Sequence, residues 1–556
     1  MIFKLFVSLF LFILSFFLFS SFALAFPSEE IFNIDPGYDF FSRDKILASL
    51  IKITNKIYFF AEKDWWENLT EVEKLNFENS IYNVSVEFER EIYPKLTSTF
   101  GKEPNPGIDG DDKIYVVFHR MKKDIAGYTR NCDIYLKIQC LNSNQKEIIF
   151  FSAKFFSEKD LKIYLAHEFL HLIQLNQKEL LRGKQEDIWL AELMAEYTST
   201  FLGYDEEFKG SNLENRVREF LSNPNNSLIE WENKSQDYAI SNIFGQYLVE
   251  NYGLKILTDA LQSEKTGINA IEFALNKNNH SVNFSQIFKD WLIAVLINDC
   301  SLGEKYCFKN KNLSNLKITP DIHLLPTNGE SSFNFNVSIK PFTPKWHKII
   351  GGYGNLELEF NVKNGLFDTS LLVCDKFNVC KIENLNFEQN QTGKIFLEDF
   401  SKNYSSLTLI LFSKSQFSNP SNLPSDHYSL TINFRQKPIS QNLPRENNNS
   451  TTTLTSRPSI PSQNINCRKI ENNLKFGMKS FEVRCLQEFL KAQGPEIYPE
   501  GLITGNFLTL TKKAVIRFQE KYKDEILKPF GLERGTGFVG PLTRLKINHL
   551  LSQLNS

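Results

Sequence analysis

The chain has almost no net charge. Its 63 Lys and Arg nearly balance 65 Asp and Glu, leaving −2 at pH 7, so the basic footprint of a nucleic-acid-binding protein is missing. No long apolar run occurs after residue 25. No two cysteines form a CxxC pair, which makes a cysteine zinc site a poor explanation of the cysteines. No cysteine lies upstream of Cys132, so no thiol in an N-terminal segment is there to mask a metal. None follows the N-terminal apolar run at its small-residue end either, which argues against a lipoprotein.

What is present begins with residues 1–25, which read as a secretory signal. Lys4 is the only early charge, residues 5–22 are apolar, and Ala23-Leu24-Ala25 gives a small-x-small pattern before Phe26-Pro27. The run is long enough that an uncleaved membrane anchor is the alternative. The eight cysteines fall into four near-neighbour pairs: Cys132 with Cys140, Cys300 with Cys307, Cys374 with Cys380, and Cys467 with Cys485. Proximity reads these as local disulfides formed in an oxidising, extracytoplasmic compartment. At 556 residues the chain has material for several domains, each with its own core. The 50 Phe residues read as compositional bias.

The chemistry concentrates at His167-Glu168-Phe169-Leu170-His171, inside an apolar-periodic stretch at 157–175. Ser157 with Asp160 makes a capping box at its start. On a helix, residues four apart are neighbours at roughly 5–6 Å, the span at which two imidazoles converge on one zinc ion. Glu168 then points beside the metal, where it can take a proton from water. The bland alternative is two surface histidines on an amphipathic helix. A second helix follows at Ile188-Trp189-Leu190-Ala191-Glu192-Leu193-Met194-Ala195-Glu196-Tyr197, with two acids on an otherwise apolar face. Charges rarely sit on such a stripe unless paired or bound to metal, although one or both acids could be solvated. Two His and one Glu leave a fourth zinc position open, the catalytic arrangement, and Glu196, one turn beyond Glu192, suits a carboxylate that orients a ligand histidine.

HEFLH followed by WLAELMAEY resembles the gluzincins, the thermolysin and aminopeptidase group, and within them the hyicolysin-type secreted metallopeptidases. The similarity spans roughly residues 90–300, with weaker support from the segment around Gly107 to Phe118, from Ala126-Gly127-Tyr128, and from Asp237 to Gly253. The resemblance implies that His167, His171 and Glu192 bind zinc, that Glu168 is the general base, and that Glu196 supports His167. It implies a thermolysin-like two-lobed domain with the zinc between the lobes. Leu193 stands where that family usually has Gly, which alters packing and removes no ligand. For the oxyanion donor that such a mechanism needs, Tyr238 is the candidate, with Tyr197 also near; for each, a buried structural role is the alternative.

The rest of the chain is read by pattern. Residues 43–61 and 71–97 show helical periodicity, and residues 27–100 are either the start of the catalytic domain (26–317) or a propeptide. Asp109-Gly110-Asp111-Asp112 could bind calcium but lacks a distal Glu, so a turn entering a strand at 113–118 is the reading. Three helices are expected between 255 and 300. At 318–435 alternation takes over, for an all-β sandwich of about eight strands with a packing or binding role. Residues 436–465, rich in Pro, Asn and Thr, are a disordered linker. Residues 466–556 contain two related phrases, LKFGMKSFEVRCLQEFL and GNFLTLTKKAVIRFQ, followed by GFVGPLTR. They resemble the peptidoglycan-binding domain, a three-helix bundle of bacterial wall enzymes, which implies attachment to cell-wall glycopeptide.

The sequence therefore points to a multidomain α+β protein. Its expected activity is that of an exported, zinc-dependent endopeptidase acting on protein or peptide substrates and tethered to the wall, with no nucleic-acid partner and a membrane partner only if residues 1–25 are retained. Two rivals stand beside it: a peptidoglycan peptidase, although the HxH or spaced His/Asp ligands of wall-directed zinc peptidases are not found, and a non-catalytic wall-binding protein.

Overall fold

The structure, a computed structural model, describes residues 27–123, 125–154, 157–325, 330–352, 354–385, 387–388, 391–416, 423–435 and 469–554. The expected signal (1–25), the linker (436–465) and Cys467 lie outside the described residues. No helix among the described residues is long and apolar enough to cross a membrane.

The chain opens with a six-stranded sheet built from β1 (Glu29–Asn33), β2 (Lys45–Ile53), β3 (Ile57–Glu62), β4 (Ile114–His119), β5 (Gly127–Thr129) and β6 (Ile148–Ser152), in the order β1-β2-β3-β4-β6-β5. β3, β4 and β6 run parallel and are buried along their whole length, as central strands covered on both faces must be. Ile57, Phe59, Val116, Phe118, Ile149 and Phe151 face the helices, while Phe60, Tyr115, Val117 and Phe150 pack with Phe32 and Tyr128 on the other side. The helical expectation for residues 43–61 is thus corrected: the segment is the β2–β3 hairpin. A strand buried on both faces reads as a continuous apolar run, which mimics helical spacing. Residues 71–97 are helical as expected, in α1 (Glu71–Glu87) and α2 (Tyr93–Phe100). The Asp109 region is a turn, with the Asp109 carboxylate accepting from the Asp111 amide at 3.0 Å, before β4 begins.

The helical region follows: α3 (Glu158–Gln174), α4 (Ile188–Phe201), α5 (Asn212–Ser222), α6 (Ser235–Tyr252), α7 (Lys255–Leu261), α8 (Gly267–Lys277) and α9 (Phe284–Ile297). The last three fall where apolar periodicity put them. Beyond them β7 (Asp321–Leu325), β8 (Ser331–Ile339), β9 (Lys345–Gly351), β10 (Asn355–Asn364), β11 (Phe367–Asp375), β12 (Cys380–Glu383), β13 (Thr392–Leu397), β14 (Tyr404–Ser413) and β15 (Asp426–Arg435) form two facing sheets. Their orders are β13-β10-β15-β8 and β12-β11-β14-β9-β7, with Leu356, Leu358, Phe360, Leu409 and Leu430 between them.

The sandwich does not stand apart from the helices. The core that begins at Ile57 and runs through α3, α4, α6 and α9 continues into Phe342, Trp346, Ile410 and Phe412 of the sandwich. Phe288 of α9 meets Phe412 and Phe342 edge to face at 4.8 and 5.3 Å, and the Trp346 indole N–H donates to the Leu292 carbonyl at 3.0 Å. Three disulfides close as proximity suggested: Cys132–Cys140, Cys300–Cys307 and Cys374–Cys380. Cys485 is disulfide-bonded as well.

Residues 469–554 have a core of their own, around α10 (Phe481–Ala492), α11 (Thr509–Lys521) and α12 (Pro541–Leu554). The two related phrases prove to be one device used twice. Buried Gln487 accepts from the Gly505 amide at 2.8 Å and donates to Asn506 O and Thr511 Oγ1 at 2.9 Å each. Gln519 does the same with Gly537, Phe538 and Thr543, at 2.9, 2.8 and 3.0 Å. Each glutamine satisfies a loop that would otherwise bury unpaired backbone groups.

Because one core joins helices and sandwich, they are expected to unfold together. Trp346→Ala should destabilise both by about 3–5 kcal/mol. Urea unfolding followed by far-UV circular dichroism and by protease resistance of the sandwich should show coincident transitions; a sandwich that melts first from an intact helical region would contradict the shared core.

Candidate active site

α3 starts where Ser157 caps it: the hydroxyl oxygen accepts from the Asp160 amide at 3.0 Å and donates to Asp160 Oδ2 at 2.7 Å. The capping box is thus half formed, since the Asp160 carboxylate takes the Ser157 hydroxyl. Leu161, Leu165, Phe169, Leu172 and Ile173 bury one side of the helix. Phe169 is fixed edge to face by Phe88 and stacked by Tyr93 at 4.9 and 5.5 Å. This packing sets the rotation of α3 and turns His167 and His171 toward α4. There Trp189, Leu190, Leu193 and Met194 are buried on the same helix as the two acids. Leu193 fits because α6 offers Gly245 opposite it: a Cβ on Gly245 would lie 3.2 Å from the leucine side chain.

The result is a tight cluster. His167 Nε2 and His171 Nε2 are 3.2 Å apart, His167 Nε2 lies 3.2 Å from Glu192 Oε2, and His171 Nε2 lies 3.6 Å from Glu192 Oε1. One atom from each of the three residues falls within 4.8 Å of the others. The histidine and Glu192 side chains keep 16% and 15% exposure, so the cluster is open to solvent on one side. Glu168 is buried beside it, with Oε2 lacking any hydrogen-bond partner.

Each ring's far nitrogen is also placed. His171 Nδ1 meets Gln174 Oε1 at 2.8 Å, and the Gln174 amide donates to the Ala191 carbonyl at 2.8 Å. An amide oxygen can only accept, so His171 carries a proton on Nδ1, and it is the neutral form of the ring that presents Nε2 as a lone pair toward the cluster. His167 Nδ1 is 3.8 Å from Glu196 Oε1, within ion-pair range and beyond hydrogen-bond range. Glu196 is instead gripped by Arg216 of α5, at 2.7 and 2.8 Å to its two oxygens, and by Asn212 and Asn242 at 3.0 and 3.2 Å.

The electrostatics follow from these neighbours. Burial pushes Glu168 up from the usual carboxylate range. Burial also opposes the charge on Glu192, but the His171 and His167 rings outweigh it and hold that carboxylate low. In the same way burial works against protonated His171, yet Glu192 carries the ring up to about 9. Arg216 outweighs burial at Glu196 and keeps it ionised.

The donor set fits zinc. Two imidazole nitrogens and a carboxylate are the borderline ligands that zinc takes. Glu192 Oε2, although near His167, has no hydrogen-bond donor, which leaves its lone pairs for a cation.

Tyr238 stands in the neighbourhood, engaged elsewhere. Its hydroxyl donates to Asn233 Oδ1 at 2.8 Å, its ring meets Trp231 at 4.8 Å, and the Arg216 guanidinium lies 5.1 Å above that ring. Burial, then Glu192 and Glu168, push its phenol far up, so it stays protonated and able to donate. Tyr197 is half-buried against the core and pushed up to about 12 by burial. Sequence reasoning missed Gln174, whose i+3 spacing from His171 was a usable signal, and Arg216, for which there was none. It also missed Tyr38, from the turn between β1 and β2, whose phenol feels Glu192 and Glu168 after its own burial and Asp35.

Over 223 residues the chain is 28% identical to the neutral metalloprotease ShpI of Staphylococcus hyicus, covering 35% of this chain and 48% of that protein. The chain thus spans about half the length of the curated relative it matches. No protein-family profile matches. Among solved structures, a pre-peptidase C-terminal domain of collagenase from Bacillus anthracis covers 20% of the chain at 7% identity and a TM-score of 0.15. The g-type lysozyme inhibitor PliG of Salmonella Typhimurium covers 21% at 12% identity and a TM-score of 0.15.

Arg216→Met should leave Glu196 as an uncompensated buried charge and lower stability by about 3–5 kcal/mol. Arg216→Lys should recover only part, because a single ammonium cannot replace the two-pronged grip. Thermal melts of the three proteins check this, and equal melting temperatures would mean that the ion pair contributes nothing.

Proposed function

We propose that the chain is an exported zinc-dependent endopeptidase held near the bacterial wall by residues 466–556. The observation that carries the catalytic part is the convergence of His167, His171 and Glu192 beside a buried, unpartnered Glu168 oxygen. The partial likeness to a neutral metalloprotease supports a metallopeptidase, and the three described disulfide pairs support an extracytoplasmic setting.

His167, His171 and Glu192 would hold the ion. When bound, zinc supplies a Lewis acid that brings the pKa of water toward about 7 and stabilises developing negative charge. Gln174 keeps the His171 lone pair directed into the site. Glu196, fixed by Arg216, lends negative charge to the far side of His167. Glu168 receives the proton of the attacking water and passes it to the nitrogen of the departing amine. Its burial and unpartnered oxygen suit a group that must take and release a proton within one turnover. Tyr238 is the candidate oxyanion donor, and to act it would have to exchange Asn233 for the substrate oxygen.

Wall attachment rests on the resemblance of residues 466–556 to peptidoglycan-binding domains and on their separate core. The same module favours the rival in which the wall is the substrate. Digestion of isolated sacculi, run beside casein, separates the two. A non-catalytic protein would have little reason to keep three convergent donors and a base together.

Glu168→Gln should retain zinc and lose hydrolysis, since the ligands stay while the proton acceptor goes; normal turnover would overturn the mechanism. Glu192→Ala should lose zinc far more than Glu196→Ala, for which about a 10–100-fold weaker affinity or activity is expected. For the tether, residues 466–556 expressed alone in an oxidising compartment should pellet with bacterial sacculi. A chain ending near Arg445 should still cleave casein without pelleting. A folded truncated chain that no longer cleaves casein would put the wall-substrate reading ahead.

A further inference from the structure

Between α5 and α6 runs a segment, residues 223–234, with one end on the candidate active site and the other on the β-sandwich. At the site end it supplies Asn233, which holds the Tyr238 hydroxyl, and Trp231, which packs on the Tyr238 ring. Asp237, at the start of α6, gathers the same segment: one carboxylate oxygen accepts from the Glu232 and Lys234 amides at 2.9 Å each, and the other accepts from Asn226 at 2.7 Å. Tyr238 lies under the guanidinium of Arg216, which in turn grips Glu196.

At its other end the segment is stitched to the strand connection at residues 340–342. The Ser227 hydroxyl donates to the Pro341 carbonyl at 2.6 Å, the Leu228 amide donates to the Phe342 carbonyl at 3.0 Å, and Lys340 Nζ pairs with Glu230 at 2.8 Å. Ser227 and Leu228 are buried, so these bonds are shielded from water. Phe342 is fully buried with φ +51°, a left-handed conformation that is uncommon for a bulky residue and persists only where its surroundings enforce it. Its ring is caged by Phe284, Phe288 and Phe412 at 5.3, 5.3 and 5.6 Å, and its amide donates to the Ser413 carbonyl at 2.8 Å.

We propose that the sandwich is a working part of the catalytic unit: residues 340–342 position the 226–234 segment and thereby set the cleft wall formed by Trp231, Asn233 and Tyr238. Ser227, Lys340 and Phe342 are positioning residues that touch no substrate. This rests on the endopeptidase reading for its kinetic consequences and on geometry alone for the coupling itself. The sandwich in such an arrangement acts as a fixed reference surface, against which a loop at the site is held while the helices carry the metal donors.

The test uses the full chain and the double variant Ser227→Ala/Lys340→Met, which removes both side-chain stitches and leaves the backbone bond and Phe342 in place. It also removes the Glu230 amide's bond to Ser227 and the Lys340 bond to the Leu423 carbonyl, so the Glu230 amide itself is left out of the readout. Hydrogen exchange should rise in peptides covering 224–240 and stay unchanged across α3 and α4, with zinc content unaltered. With casein, kcat/KM should fall about 10-fold through misplacement of the wall. Lys340→Arg, which keeps the pair with Glu230, should behave as wild type, as should Phe396→Ser on the exposed face of β13. Unchanged exchange at 224–240 overturns the coupling. A rise spread equally over α3 and α4 shows general destabilisation and overturns it too, and faster exchange at 224–240 with unaltered kcat/KM removes its role at the cleft. Wild-type protein that binds zinc poorly and leaves casein intact would contradict the endopeptidase reading, and the exchange result would still decide whether the sandwich holds the segment.

Discussion

Three carboxylates gather where α3 meets α4, Glu168 and Glu196 buried and Glu192 partly so, and among the described residues only Glu196 has a permanently charged partner close to it. A buried ionised carboxylate without compensation is far too costly to keep, so the arrangement of the site follows from how each charge is met. Arg216 answers Glu196 with two short bonds. Glu192 faces two imidazoles that can answer it with a proton or with a shared cation. Glu168 has neither and is pushed toward its neutral form by burial. Three acids on two neighbouring helices thus stand in three settings: an anion fixed by an arginine, a carboxylate held low by two imidazoles, and a buried carboxyl pushed up by desolvation.

That arrangement needs rigid walls, and the packing supplies them. Phe88 and Tyr93 hold Phe169 and so the rotation of α3, Gly245 makes room for Leu193 on α4, and Gln174 ties His171 to the backbone of α4. α6 is shared between α4 on one side and the α9–sandwich contact on the other. A displacement at Phe342 or Trp346 is therefore felt by the same core that holds the candidate metal donors, in keeping with the low compressibility of close-packed interiors.

The candidate site residues were legible because a helix converts sequence spacing into spatial neighbours: His167, Glu168 and His171 needed only the helix to be recognised. Glu192 and Glu196 were legible as charges on an apolar stripe. Arg216 was not, because nothing in its local sequence records that α5 returns to place a guanidinium on Glu196. The β2–β3 hairpin was misread because Ile57 to Ala61 are buried on both faces and carry no alternation. The sandwich showed its long alternating strands, while β9 (KWHKIIG) and the four-residue β12 carried too little pattern to be seen. The change of composition near residue 318 reads as a boundary, yet the core crosses it, since composition reports what a segment is made of and not what it packs against.

The central claim is that His167, His171 and Glu192 form a zinc site that performs hydrolysis. Elemental analysis of the purified full chain, before and after treatment with a chelator, tests it most directly when casein cleavage is followed in the same samples. The account predicts about one zinc per chain, loss of cleavage as the metal is withdrawn, and recovery when zinc is returned. A chain that retains no zinc, or that cleaves casein equally well without it, would contradict the account.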